Sequence, residues 1–97
     1  MQYNMKVTIT DPNTPAGMFS ELFFDLTCNF VYDEAQYGNG YYVSIGGKEF
    51  YKQVIDLRYD TSFDCDNKMK WLTDWAYSYW SGKDGAWAIK SLEIAKV

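Results

Sequence analysis

The chain has 97 residues, a formal net charge of −4 and no histidine, and 20% of its residues are aromatic. The excess of acidic over basic residues disfavours direct binding to nucleic acid, whose phosphate backbone requires clustered Lys and Arg. The lack of histidine removes the one side chain that titrates near neutral pH without perturbation, which argues against catalysis. We therefore expect a non-enzymatic protein that binds other proteins, basic proteins among them.

The length predicts a single domain that spans residues 1–97. A folded chain of this size removes about 10,000 Å² from water, whereas its nine Tyr, six Phe and four Trp need only about 4,000 Å² of burial. The core can therefore hold every ring, and the aromatic content does not by itself indicate a binding site. Only rings that the fold leaves exposed to solvent would indicate a binding site.

No stretch of the sequence predicts a leader peptide or a membrane span, so we expect a cytoplasmic protein. Two cysteines, Cys28 and Cys65, are too few for a disulfide scaffold or for a zinc site of the usual spacing. We expect both to be reduced thiols, with a single bridge between them as the alternative.

Alternation of apolar and polar residues predicts the first strands. Residues 5–10 alternate up to the Asp11-Pro12 break, and residues 22–33 alternate strictly, which is typical of a long antiparallel strand with one face in solvent. Between them, residues 11–15 predict a loop, and Thr14 with Pro15 offers a start for a short helical turn that ends at Ser20.

The segments 41–45 and 49–59 flank Gly46-Gly47-Lys48 and predict a β-hairpin. A two-residue loop would place Val43 and Ile45 on the same face as residues 48, 50 and 52. A three-residue loop with a bulge at Gly47 or Lys48 is favoured, because it aligns them with apolar residues of the next strand. These residues are Tyr51, Ile55 and Leu57.

One amphipathic helix is predicted from about Asp66 to Ser81, with Asp64 or Asp66 as the N-cap and Gly82 as the stop. Helical periodicity places its apolar residues on a half-cylinder. They are Met69, Trp71, Leu72, Trp75, Ala76, Tyr79 and Trp80. Because Trp71 and Trp80 lie at the two edges of this half-cylinder, we expect them to be only partly covered, and Trp75 and Tyr79 to lie in the core.

Lys83 to Gly85 predict a turn into a final strand from Ala86 to Lys96, and a change of apolar phase predicts a bulge near Lys90-Ser91. The element order is β-β-β-β-α-β. The sequence therefore predicts an α+β fold with a single antiparallel sheet of about five strands, one helix packed on one face and the other face open.

The densest polar cluster lies between the fourth strand and the helix. It comprises Asp56, Arg58, Asp60, Asp64 and Asp66. Residues 64–67 resemble the opening of a calcium-binding loop, but the glycine and the glutamate that such a loop requires are missing at the required spacing. We expect helix capping and an ion pair of Arg58 with Asp56 or Asp60, and no metal or other cofactor.

Exposed carboxylates that lie close together could imitate the phosphates of a nucleic acid in a groove lined by Lys and Arg. The residues predicted to bind the partner are Asp33, Glu34, Tyr37, Tyr41, Asp60, Asp64 and Asp66. Small acidic inhibitors encoded by phages and mobile elements act on host nucleic-acid-handling proteins in this way, and the chain is similar to anti-CRISPR proteins in size and charge.

Two other functions remain open from the sequence. Surface Trp and Tyr rings would stack on a carbohydrate or another small ligand, and the open face of the sheet would bind a second copy of the chain as a homodimer or larger homo-oligomer. The residues for these alternatives are Phe23, Tyr42, Trp71 and Trp80.

Overall fold

The computed structural model describes residues 1–11, 21–35, 38–81 and 87–97. Five strands and one helix follow the predicted order. They are β1 (Gln2–Thr10), β2 (Glu21–Ala35), β3 (Gly38–Gly47), β4 (Phe50–Asp56), α1 (Lys68–Trp80) and β5 (Ala88–Lys96). The predicted helical turn at Thr14–Ser20, Tyr37, the stop at Gly82 and the turn at Lys83–Gly85 lie outside the described residues.

The strands form one antiparallel sheet in the order β4-β3-β2-β1-β5, which confirms the predicted α+β architecture. The first four strands form a meander, and α1 returns the chain across one face so that β5 pairs with β1. In β2, Leu26, Cys28 and Phe30 are buried while the residues between them are exposed, as their alternation predicts.

The core lies between the helix and this face of the sheet. Its buried residues are Tyr3, Met5, Val7, Ile9, Leu26, Cys28, Phe30, Val43, Ile45, Phe50, Leu57, Trp71, Leu72, Ala76 and Trp80. No helix in the described part of the chain is long and apolar enough to cross a membrane.

The helix begins later than the sequence predicts, and neither Asp64 nor Asp66 is its N-cap. The N-cap is Asn67, whose side-chain oxygen accepts a hydrogen bond from the Lys70 amide at 3.3 Å. Asp64 instead closes the preceding turn, because its carboxylate accepts the Asp66 amide at 2.9 Å. An aspartate that folds its own turn in this way is not available to cap the helix.

The β3–β4 hairpin also differs from the prediction. Gly47 pairs with Phe50 across a two-residue turn, Lys48-Glu49, and the extra residue lies within β4, where Tyr51 and Lys52 face Gly46. Ile55 and Leu57 still align with the core residues of β3, but the bulge leaves Tyr51 94% exposed. The extra residue that the sequence places in the turn therefore lies in the strand, where it has the same effect on which face each later side chain occupies.

The bulge predicted in the last strand is confirmed. Thr8 pairs with Ser91 and Ile9 pairs with Ile89, so Lys90 is the inserted residue. The change of apolar phase in the sequence marks this position, because one inserted residue moves the following side chains to the opposite face.

The aromatic rings at the edges of α1 are buried, although the sequence predicts them to be only partly covered. Conversely, Tyr79, which is predicted to lie in the core, is half-exposed. Trp71 and Trp80 are only 8% and 7% exposed, whereas Tyr79 is 49% exposed. Elements outside the helix cover both edges: Phe63, from the loop before α1, packs on Trp71, and Phe50, from the hairpin, packs on Trp80. Trp75 is half-buried and stacks on Tyr79.

Candidate functional site

The net charge of the chain lies at one end of the molecule. Residues 31–44 and 55–68, which we call the acidic end, contain six acidic and two basic residues, and the rest of the sequence contains seven of each. The acidic residues are Asp33, Glu34, Asp56, Asp60, Asp64 and Asp66, and the basic ones are Arg58 and Lys68. The acidic end therefore carries the entire formal charge of −4.

Strand pairing and ring contacts bring these two segments together. Tyr42 pairs with Asp56, and the carbonyl oxygen of Tyr41 accepts the amide of Leu57 at 2.8 Å. The Tyr41 ring packs on Phe63 at 5.5 Å between centroids, and Lys68 Nζ lies 5.2 Å from the centroid of the same ring. The end of β2, the start of β3 and the loop before α1 therefore form one surface.

The molecule is elongated, and the acidic end is part of that elongation. Its extents are 53 × 27 × 22 Å and its radius of gyration is 14.9 Å, against about 12.5 Å for a typical compact chain of this length. The first residue of β1, Gln2, pairs with Asn29, but β2 continues to Ala35, where it pairs with Gly38. Asp33 and Glu34 lie on this projecting part, and both are exposed.

Three of the six acidic side chains accept hydrogen bonds within the chain: Asp64 accepts the Asp66 amide, and Asp56 and Asp60 also bind other side chains. Asp56 forms a two-pronged ion pair with Arg58, with Nη2–Oδ2 at 2.7 Å and Nε–Oδ1 at 3.1 Å. These hydrogen bonds hold the pKa of Asp56 below its usual value and raise the pKa of Arg58. The guanidinium also lies over the rings of Tyr42 and Tyr59, at 4.9 and 5.7 Å, so the only arginine is fully engaged.

Asp60 connects the loop to the helix. Its carboxylate accepts the amide and hydroxyl of Ser62 at 2.8 and 2.5 Å and the indole N–H of Trp71 at 3.3 Å. The bonds from Ser62 are the main reason that the pKa of Asp60 is lowered. Asp60 thus fixes Trp71 and offers less to a partner than Asp33, Glu34, Asp64 and Asp66, which are exposed.

Of the two tyrosines that we predicted to bind a partner, Tyr37 lies outside the described residues and Tyr41 is half-buried. Tyr41 packs edge-on against Tyr32 at 5.1 Å, and Tyr32 is 49% exposed. Tyr59, which no sequence pattern singles out, is 75% exposed and lies next to Arg58. The hydroxyl of Tyr59 lies 3.8 Å from the Cβ position at Gly38, which places its ring beside the β2–β3 end.

No family model, curated protein or solved structure matches this chain. Its function is therefore inferred from its own residues. Within the described ranges, no three His, Cys, Asp or Glu side chains converge closely enough to hold a metal ion.

The residues proposed for the alternative functions do not form one site. Trp71 and Trp80 are buried and present little ring surface for stacking. On the open face of the sheet, Phe23 and Val31 are 59% and 47% exposed, but they lie about 27 Å apart along β2 with polar residues between them. Tyr42 is partly covered by Arg58.

The two cysteines differ in exposure, which predicts different reactivity. Cys28 is fully buried in β2, and burial raises the pKa of its thiol to about 12, whereas Cys65 is exposed. We expect iodoacetamide at about pH 8 to modify the folded protein once, at Cys65, and the unfolded protein twice. Mass spectrometry of Cys65→Ser, which should remain unmodified when folded, is the control, and rapid double modification of the folded wild type would contradict the burial of Cys28.

Proposed function

We propose that the chain is a non-enzymatic protein-binding module that inserts its acidic end into a basic groove of a nucleic-acid-handling protein. The observation that carries this proposal is the confinement of the whole net charge to one end of an elongated molecule. The other residues balance in sign, so the molecule has a strong electrostatic polarity. Such polarity steers association with a basic surface and orients the molecule as it approaches.

Four exposed carboxylates are the groups that would meet the partner. Asp33 and Glu34 lie on the projecting end of β2, and Asp64 and Asp66 lie in the loop before α1. They can replace phosphates as acceptors, because Arg makes two-pronged contacts with either group and Lys binds either group as a point charge. Asp56 is paired with Arg58, and Asp60 keeps its negative charge but is held by Ser62 and Trp71, so both carboxylates mainly support the surface.

Exposed tyrosines provide contact area beside these carboxylates. Tyr32 and Tyr59 are 49% and 75% exposed at the acidic end. Tyrosine is rigid and amphipathic, and it therefore loses little conformational entropy when it becomes part of an interface. A partner that binds the carboxylates would cover these rings as well.

A domain that fills a groove lined by Lys and Arg would exclude the nucleic acid that the groove normally holds. The chain would then act as an inhibitor, in the manner of the small acidic inhibitors encoded by phages and mobile elements. The absence of histidine and the engagement of both Asp56 and Asp60 in structural contacts agree with a role that involves no chemistry.

Affinity capture with matched variants tests this function. The variant D33N/E34Q/D64N/D66N removes the four exposed charges, and D64N keeps a side-chain oxygen that can accept the backbone amide of residue 66. The control E21Q/D25N/D74N/E93Q removes four exposed charges elsewhere. From a lysate of a plausible host, the wild type and the control should capture the same basic protein, and duplex DNA or RNA should displace it. The first variant should lose it.

Nuclease treatment of the lysate separates a direct contact from one bridged by nucleic acid. Capture that survives nuclease and disappears in the acidic-end variant supports the proposal. Equal capture by both variants, or capture that requires intact nucleic acid, contradicts it.

A further inference from the structure

An open cleft lies between the last turn of α1 and the β3–β4 hairpin, at the opposite end of β3 from the acidic end. Its volume is about 370 Å³, at the lower end of the range of about 300–1,000 Å³ for small-ligand sites. The described residues that line it are Phe24, Glu49, Phe50, Tyr51, Gln53, Tyr79 and Trp80. Five of these seven side chains are aromatic, and none is aliphatic.

The rings of the cleft differ in burial. Phe50 and Trp80 are buried, and they contact each other at 5.8 Å between centroids. Tyr79 is 49% exposed and stands nearly perpendicular to Trp80, at 79° and 5.2 Å. Tyr51 also lines the cleft and is 94% exposed, because the bulge in β4 directs it away from the core.

The polar groups of the cleft favour a positive charge. Glu49 supplies a carboxylate and Gln53 an amide, and no Lys or Arg among the described residues lines the cleft. The faces of aromatic rings carry partial negative charge, so the rings and the carboxylate attract the same kind of ligand. A neutral apolar ligand would gain from the rings alone.

We propose that this aromatic cleft binds a quaternary ammonium group. A primary ammonium carries three N–H donors that water satisfies, and it would lose part of that water against the rings of the cleft. Among the described lining residues, the acceptors are the Glu49 carboxylate, the Gln53 amide oxygen and the hydroxyls of Tyr51 and Tyr79. Methyl groups on nitrogen need no acceptor and pack against rings, while the positive charge still interacts with the ring faces and with Glu49. The ligand would also give the isolated ring of Tyr51 a partner.

The cleft is independent of the acidic end. Its polar and exposed members, Glu49 and Tyr51, lie at the hairpin, where Gly47 pairs with Phe50, whereas the acidic end begins at the opposite end of the same strand pair, near Tyr42 and Asp56. A test of ligand binding in the cleft is therefore independent of whether the acidic end binds a partner.

Titration of the whole chain with choline chloride tests the inference. Heteronuclear NMR spectra should show saturable shifts of the Trp80 indole N–H signal. The tert-butyl analogue of choline, in which carbon replaces the charged nitrogen, should bind at least several-fold more weakly. Sodium chloride at the same ionic strength should give no saturable shift. Equal binding of the neutral analogue would overturn the proposal, because the site would then be apolar rather than cation-selective.

A second arm identifies the source of the ammonium group. Trimethyllysine with blocked termini is titrated under the same conditions as choline. Tighter binding of trimethyllysine indicates a side chain of a protein partner, and tighter binding of choline indicates a free small molecule. Saturation by neither compound overturns the proposal.

Two variants locate the binding to the cleft. Tyr51→Ala and Glu49→Gln should each weaken choline binding by about twofold to fivefold, which corresponds to about 0.5–1 kcal/mol for a cation beside an exposed ring. Both residues are exposed, so their replacement should leave the unfolding transition unchanged. Tyr77→Ala removes another half-exposed tyrosine of α1 that does not line the cleft and should bind choline like the wild type. Unchanged affinity in both cleft variants would place the binding elsewhere.

Discussion

Replacement of Trp80 by alanine is expected to lower the free energy of unfolding by about 3–5 kcal/mol. Trp80 is 7% exposed and lies within contact distance of four other rings, those of Phe24, Phe50, Trp75 and Tyr79. Its removal takes a large apolar surface out of the core and leaves a cavity that the sheet and helix cannot close. A domain of this length has only about 5–15 kcal/mol of stability in total, so the loss is severe.

Chemical denaturation measures this effect, with Tyr77→Ala as the matched control. Tyr77 is 50% exposed on the same helix, and its replacement should change the free energy of unfolding by only about 0.5 kcal/mol. A loss near 1 kcal/mol or less for Trp80→Ala would contradict the structure and would fit the partly covered edge position that helical periodicity predicts.

Replacement of Gly40 by alanine is expected to destabilise the acidic end, by about 1–3 kcal/mol. A Cβ atom at this position would lie 2.8 Å from Cα of Arg58, and also against its side chain. Because the neighbour is backbone, it cannot rotate away. β3 and the turn after β4 would have to separate, and Arg58 would move from Asp56 and from the ring of Tyr42.

Gly46, in the same strand, is the matched control for Gly40. A Cβ atom at Gly46 would lie 3.6 Å from Cα of Lys52, which is an ordinary contact. Gly46→Ala should leave stability unchanged or raise it by about 0.4–1 kcal/mol, because alanine restricts the unfolded chain. Equal midpoints of thermal unfolding for the two variants would show that Gly40 and Arg58 do not approach each other as closely as described.

The strands could be predicted from the sequence because burial of one face imposes the alternation directly. The long alternation of apolar and polar residues identifies the strand β2, and the change of apolar phase near Lys90 identifies the bulge in β5. The helix was also predicted, but its covered edges were not. Periodicity gives the angle of each side chain around the axis, whereas the cover for Trp71 and Trp80 comes from Phe63 and Phe50, which lie elsewhere in the sequence.

The acidic character of the candidate site could be predicted, but its arrangement could not. Composition gives the charge, yet its confinement to one end depends on how far β2 extends beyond β1, and that depends on strand register. The ion pair of Asp56 with Arg58 was one of two pairs that the sequence allowed. The contact between Asp60 and Trp71 joins a loop to a helix eleven residues later and left no local signal.

The central proposal, that the acidic end binds a basic groove, is tested most directly by the salt dependence of the captured partner's affinity. We expect the dissociation constant for the wild type to rise at least tenfold between about 0.05 M and about 0.5 M NaCl, because screening weakens contacts between exposed charges. The D33N/E34Q/D64N/D66N variant should bind weakly at every salt concentration, with a much flatter dependence. A wild-type affinity that stays constant across this range would contradict nucleic-acid mimicry.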